Sequence, residues 1–286
     1  MYEYTTSKMN SDDFNELLKE TVTNIRRLKF RPRVSFGQNF VISRKLVDEM
    51  IMHAKLSNED KVLEIGGGLG TLTQMILDSG VSEVFVVEVD RLLERMLQLR
   101  FYENSNAYII GGDFLNLNLE KIQFNKVISN PPFHISSQII RKLSNFDIDL
   151  VVMTFQKDFV EKMTASSGSE NYSKIGVFSS LLFEVNVIGY FPKSCFYPKP
   201  KIDVSLVTLK PRRIDKLNTV RFWEFLTYIF NNRNRKFVKV LEDFLSTKDS
   251  ARMLDIREEF SDKRVFQIPP EVMLRTFNDI CQLAGP

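Results

Sequence analysis

From Lys61 onward, short apolar runs alternate with stretches whose apolar residues recur every three to four positions. Lys61–Ile65, Val84–Val89, Tyr108–Ile110, Lys126–Ser129 and Leu150–Thr154 are too short for helices and read as strands. Between them, Thr71–Asp78, Leu92–Leu99 and Ile135–Leu143 carry the helical period. Strands alternating with helices predict the α/β class, with a parallel sheet covered on both faces. A later strand, Val204–Leu209, runs into Pro211, Arg212 and Arg213. Beyond it the period turns helical over Val220–Asn231, Arg235–Phe244 and Glu271–Leu283. Three parts are therefore expected: an appendage over 1–34, the sheet domain over 35–212 and a smaller helical domain over 213–286. In the appendage, Ser11 is placed to cap a helix carrying Phe14, Leu17, Leu18, Val22, Ile25 and Leu28. Asp12 and Asp13 at its start and Arg26, Arg27 and Lys29 at its end suit the helix dipole. Arg31 and Arg33 continue the run past Pro32, so the charges either support the helix or form a basic arm.

The chain has 286 residues, 43% hydrophobic and 26% charged, enough for one α/β domain and a smaller companion. Its net charge is only +3, so any nucleic-acid surface has to come from clustering of the 39 Lys and Arg. Cys195 and Cys281 stand far apart, which suits a reducing compartment and no disulfide scaffold. With only His53 and His134, no zinc or histidine-based centre is expected. No apolar run is long enough to span a bilayer, and the N-terminus lacks a secretory core. The expectation is a soluble, cytoplasmic, metal-free monomer.

The first strand ends in Glu64-Ile-Gly66-Gly67-Gly68-Leu-Gly70, directly before a helix. Glycines there allow a tight turn and let a ligand approach the main chain. A dinucleotide fingerprint would need a third glycine where Thr71 stands, and no Lys-Ser/Thr pair follows for a P-loop. An acidic residue before a G-x-G-x-G loop instead resembles methyltransferases that bind S-adenosylmethionine. Glu88 ends the second strand, where a carboxylate can accept both ribose hydroxyls of a nucleoside. Asp113 follows the third strand and is placed to accept an adenine amino group, with Phe114 beside the ring.

The fourth strand ends in Ser129-Asn130-Pro131-Pro132-Phe133. An adenine amine is a poor nucleophile because its lone pair is delocalised into the ring. Two acceptors, the Asn130 side-chain oxygen and the Pro131 carbonyl, can hold both amine hydrogens and localise the lone pair. The prolines stiffen the loop, and Phe133 offers a face for an unpaired base.

These motifs together resemble the ribosomal RNA adenine dimethyltransferase family, over about Ser35 to Leu241. Phe36-Gly37-Gln38-Asn39-Phe40-Val41 looks like the family's opening motif. The resemblance implies cofactor contacts at Gln38, Asn39, Val41, Glu64, Gly66, Gly68, Glu88, Asp113, Phe114 and Asn130, and catalysis by Asn130, Pro131 and Phe133. Gln156-Lys157-Asp158, the Pro-rich Phe196–Ser205 loop and the Arg235-Lys236 pair also resemble family segments. The chain departs at Asn-Pro-Pro-Phe, a form commoner among DNA adenine methyltransferases, at Ser167-Gly168, at Ser173 and at Val240. The implied fold is a Rossmann-like S-adenosylmethionine-dependent methyltransferase sheet with a smaller C-terminal helical domain. The implied activity is N6 methylation of adenosine, on two adjacent adenosines near the 3′ end of small-subunit ribosomal RNA or a pre-ribosomal particle. The alternatives are large-subunit RNA, DNA, or a transcription or assembly factor on the same fold. Lys199 and Lys201 near the late strand, and Arg233, Arg235 and Lys236 in the helical part, are the expected RNA contacts.

Overall fold

The computed structural model describes residues 11–33, 36–214, 217–245, 260 and 262–283, with side chains from residue 16 onward. The expected cap at Ser11, the charges of Asp12 and Asp13 and the apolar contact of Phe14 lie outside the described side chains. In chain order the elements are α1 (Ser11–Arg27), β1 (Phe40–Val41), α2 (Arg44–Ala54), β2 (Lys61–Ile65), α3 (Thr71–Asp78), β3 (Glu83–Glu88), α4 (Arg91–Arg100), β4 (Ala107–Gly111), β5 (Lys126–Ser129), α5 (Ser136–Leu143) and β6 (Leu150–Gln156). They continue with α6 (Lys157–Met163), α7 (Lys174–Leu182), β7 (Phe183–Phe191), β8 (Phe196–Tyr197), β9 (Val204–Pro211), α8 (Thr219–Asn231), α9 (Phe237–Leu245) and α10 (Pro270–Leu283).

Seven strands form one sheet in the order β4-β3-β2-β5-β6-β9-β7. The pairs β3–β4, β2–β3, β2–β5 and β5–β6 are parallel. The expected parallel sheet holds for these pairs, and the late strand β9 joins it antiparallel to β6. Six successive residues of β9 are buried, the polar Ser205 and Thr208 among them, so it reads as a strand covered on both faces. Such a pattern records burial on two faces and not strand direction. The order of strands reverses between β2 and β5, which opens a crevice beyond their carboxyl ends.

The core of this unit forms where Leu46 and Met50 of α2, Ile76 of α3 and Leu97 of α4 pack on Val62, Val84 and Ile128 of the strands. Each such side chain stabilises the fold by about 1.5–3 kcal/mol relative to exposure. Helix α2 escapes the strand–helix alternation because it precedes the first strand of the large sheet. Ser43 caps it, its hydroxyl accepting from the Leu46 N–H at 3.3 Å. Ile25 and Phe30 at the end of the N-terminal segment join Phe40, Leu69 and Leu93 in a smaller apolar cluster, so this segment has a packing role.

The chain divides into two compact units. The first gathers the residues up to Ile139 with Phe146–Lys157 and Asn186–Lys210. The second gathers Ile140–Asn145, Asp158–Val185 and the residues from Pro211 onward. Helix α7 packs there against α8 and α10, which draws segments 140–145 and 158–185 out of the sheet domain's sequence range. Phe277 of α10 meets Phe222 and Phe225 of α8 at ring-centroid distances of 5.2 and 5.6 Å. The Tyr172 hydroxyl donates to the Ile268 carbonyl at 2.8 Å.

At the amino ends of β2 and β5 lies a buried ion pair. Lys126 Nζ stands 2.8 Å from Asp60 Oδ2, with the two side chains 12% and 6% exposed. Asn125 donates to the other Asp60 oxygen at 2.8 Å, and the Ser57 N–H to Oδ2 at 2.6 Å. Burial pushes the Asp60 carboxyl up, but the hydrogen bonds from Lys126, Asn125 and Ser57 outweigh it and hold the group below its usual range. Asp60→Ala leaves Lys126 without its charge partner and is expected to lower unfolding stability by about 3 kcal/mol. Because the folded value is depressed, this contribution is present above the usual carboxylate range and lost as pH falls through the lowered value. Denaturant unfolding as a function of pH should therefore show wild type and variant converging in acid.

Candidate active site

The site is built at the carboxyl edge of β2, β3 and β5. After β2 the chain turns at Gly66, whose φ of 84° lies in the left-handed region. A Cβ on Gly67 would stand 2.4 Å from Val86 and 2.8 Å from Leu97, so only glycine lets the turn lie against β3 and α4. The loop is fastened to the next strand by the Gly68 N–H, which donates to Glu88 Oε2 at 2.9 Å. The Asp90 N–H donates to Glu88 Oε1 at 2.9 Å. Burial pushes the Glu88 carboxyl up overall, with the Asp90 charge adding to it and backbone hydrogen bonds from Asp90, Gly68 and Val89 opposing it. Glu88 lines the cleft, where a carboxylate can accept neighbouring hydroxyls.

Glu64, one residue before the end of β2, is 1% exposed and accepts from the Thr73 hydroxyl of α3 at 2.6 Å. Burial, opposed by Thr73 and reinforced by the nearby Glu88 charge, pushes its carboxyl up to about 8. Glu64 is therefore mainly protonated at neutral pH, and a cationic ligand in the cleft would favour its ionised form.

The third wall is the segment before α2. Gln38 bridges two elements, donating to Asp90 Oδ2 at 3.1 Å and accepting from the Arg33 N–H at 2.7 Å. The Asn39 carbonyl accepts from Asn130 Nδ2 at 2.8 Å. Asn130 stands directly after β5, and its Oδ1 accepts from the Thr154 hydroxyl of β6 at 2.6 Å. Both ends of this amide are therefore held. Pro131 is buried and Pro132 lines the cleft. Phe133 meets Phe196 edge-on at 6.2 Å and is only partly buried.

One cleft gathers Gln38, Asn39, Val41, Glu64, Gly66, Gly68, Glu88 and Asn130. Leu69, Val89 and Leu93 supply an apolar wall. Asp113 and Phe114 do not line it. Asp113 accepts from the Leu115 N–H and from Asn116 Nδ2, each at 2.9 Å, and Phe114 is 3% exposed. Thr73, Asp90 and Thr154 were not singled out by the sequence. Asp90 lies two residues past Glu88 and was within reach of motif reasoning. Thr154 sits on a strand whose hydroxyl-bearing position looks like any β-branched strand residue. Among the described residues, no group of three or more His, Cys, Asp or Glu side chains could hold a metal. Nor is any described helix long and apolar enough to cross a membrane.

This donor set fits S-adenosylmethionine. The Glu88 carboxyl faces a glycine turn, the walls are partly apolar, and two buried acids lie where a cationic ligand would favour their ionised form.

Of the basic residues expected to meet RNA, Lys199 and Lys201 are exposed on the loop between β8 and β9. Arg235 pairs with Asp243 and Lys236 with Asp262, each at 2.8 Å. Arg233 donates to the Glu170 carbonyl at 2.9 Å and lies over the Phe266 ring, with Lys162 and Lys174 lining the same recess of the second unit.

Residues 29–281 match the family model described as ribosomal RNA adenine dimethylase. The chain is 34% identical over 275 residues to a probable ribosomal RNA small subunit methyltransferase A of Methanothermobacter thermautotrophicus, covering 94% of this chain and 98% of that protein. It is 35% identical over 246 residues to the like-named protein of Pyrococcus abyssi, covering 84% and 89%. Among solved structures, a dimethyladenosine transferase from Plasmodium falciparum superposes with a TM-score of 0.71 at 25% identity, covering 82% of this chain and 96% of that one.

The raised Glu64 carboxyl has a measurable consequence. Its stabilising contribution is fully present below the unfolded carboxylate value and is lost as pH rises toward about 8, because the fold retains a proton that the unfolded chain releases. Glu64→Gln mimics the neutral acid. Chemical denaturation of the free protein should show wild type losing stability relative to this variant from weakly acidic pH upward, and a constant difference would refute the buried-acid reading.

Proposed function

The chain belongs to the ribosomal RNA adenine dimethylase family, and on that premise we propose that it dimethylates the N6 amines of two adjacent adenosines near the 3′ end of small-subunit ribosomal RNA. The observation that carries this reading is Asn130 at the end of β5, with its carbonyl oxygen fixed beside the cleft. When bound, S-adenosylmethionine supplies a methyl group activated by its sulfonium.

Glu88 accepts the ribose hydroxyls, and Gly66 and Gly68 bring main chain against the ligand. Gln38, Asn39 and Val41 close the opposite wall, and Glu64 lines the cleft as a buried acid that a cationic ligand would draw toward its ionised form. Asp113 and Phe114 are assigned to the adenine end, where Asp113 has to share its oxygens with its own turn. Asn130 Oδ1 and the Pro131 carbonyl accept the amine hydrogens of the target base, and Phe133 stacks on it. Alignment of this kind supplies much of the acceleration, because no proton has to be removed before attack.

Lys199, Lys201, Arg233, Arg235 and Lys236 are assigned to RNA phosphates. Arg235 and Lys236 have to leave acidic partners to do so, whereas Arg233 donates to the main-chain carbonyl of Glu170. The substrate is a pre-ribosomal particle in the cytoplasm, and a monomer suffices because one chain supplies every group of the cleft.

Transfer of tritiated methyl groups to unmodified small subunits, large subunits and DNA, with mapping of the labelled nucleotides, tests this function. Label confined to adjacent small-subunit adenosines is expected; label on another nucleic acid alone would reject the assignment. Glu88→Ala should weaken cofactor binding by about 1.5–3 kcal/mol in calorimetry. Asn130→Ala should slow single-turnover transfer more than it weakens cofactor binding, since its acceptor acts mainly toward the transition state. In filter binding across a salt series, Arg233→Ala should flatten the slope by up to roughly one unit, and Lys236→Ala by less.

A further inference from the structure

We propose that Thr154 is a positioning residue that holds the Asn130 amide for the second of the two methyl transfers to each adenosine, an inference that rests on the function proposed above. The Asn39 carbonyl can only accept, so the amide has to turn Nδ2 toward it and Oδ1 away. Oδ1 then meets the Thr154 hydroxyl at 2.6 Å. Thr154 is fully buried in the middle of β6, between buried Met153 and Phe155, so its hydroxyl has no water to turn to. An amide oxygen has two lone-pair directions. The Thr154 bond takes one and leaves the other for an amine hydrogen.

The two transfers differ in what they ask of that oxygen. In each, the N6 lone pair forms a nitrogen–carbon bond while the carbon–sulfur bond of the sulfonium breaks, its electron pair stays on sulfur, and the proton left on nitrogen passes to water. In the first, the amine offers two hydrogens to two acceptors, Asn130 Oδ1 and the Pro131 carbonyl, and a loosened Asn130 is partly compensated. After it, one hydrogen remains and a methyl group fills the other position. A single acceptor must then fix the direction of the lone pair, and freedom of the amide about its last torsion is felt in full.

Thr154→Val keeps the shape and removes the donor; Thr154→Ser keeps the donor. Small subunits treated with each protein are digested, and N6-monomethyl- and dimethyladenosine are quantified over time. Thr154→Val is expected to slow the second transfer on the order of tenfold, the worth of a hydrogen bond to a buried acceptor, with a smaller effect on the first, so that monomethyladenosine accumulates. Thr154→Ser should restore the wild-type product ratio. A second arm needs no RNA: the Asn130 side-chain amide signal in proton–nitrogen NMR should shift and its hydrogens exchange faster in the valine variant, and be near wild type in the serine variant. If the valine protein does not fold, Thr154→Cys, a weak donor of similar size, should give an intermediate ratio and an intermediate shift. An unchanged product ratio, equal slowing of both transfers, or an unmoved amide signal would each overturn the assignment. Absence of methylation by the wild type would count against the proposed function, and the amide signal would still decide the role of Thr154.

Discussion

The side-chain amide of Asn130 joins three parts of the chain that are far apart in sequence. Its nitrogen donates to Asn39, its oxygen accepts from Thr154, and its own backbone leaves the end of β5. This junction exists because β5 lies between β2 and β6 in the sheet. The reversal of strand order next to β2 leaves the ends of β2 and β5 facing a common crevice. One strand end then delivers the glycine turn and the other the amide. In the proposed reaction, an acceptor fixed before the substrate arrives needs little reorganisation, which would favour attack by a weak amine.

The same edge buries two acids. Backbone N–H groups donate to Glu88, and the Thr73 hydroxyl donates to Glu64. Burial pushes both carboxyls up, Glu64 to about 8, so Glu64 is mainly protonated at neutral pH. A cationic ligand entering the cleft favours the ionised form of these acids and offsets part of the cost of burying them.

Much of this was legible in the residue pattern. Lys61–Ile65, Thr71–Asp78 and Lys126–Ser129 form the elements that their periodicity predicts, with the same bounds. The glycine turn, Glu88 and Asn130, each expected at a strand end, lie on one cleft. What stayed hidden depends on tertiary geometry. The antiparallel course of β9 leaves no mark on a doubly buried strand. Asp113 follows its strand as Glu88 does, yet its oxygens serve a local turn, a choice that spacing alone does not reveal. Thr154 lies 24 positions from Asn130, and only the pairing of β5 with β6 brings them together. The acidic partners of the basic pair differ in reach: Asp243 lies in the same predicted helical segment as Arg235, whereas Asp262 comes to Lys236 from another segment.

The proposed reaction depends on a preorganised acceptor at the end of β5. Structure determination of the protein with S-adenosylhomocysteine and an oligonucleotide carrying the target adenosine tests it most directly. The account predicts the N6 nitrogen within hydrogen-bonding distance of Asn130 Oδ1, with the bonds from Asn130 Nδ2 to Asn39 and from Thr154 to Oδ1 both intact. A rotated Asn130 amide, or an N6 nitrogen held by other groups, would contradict it.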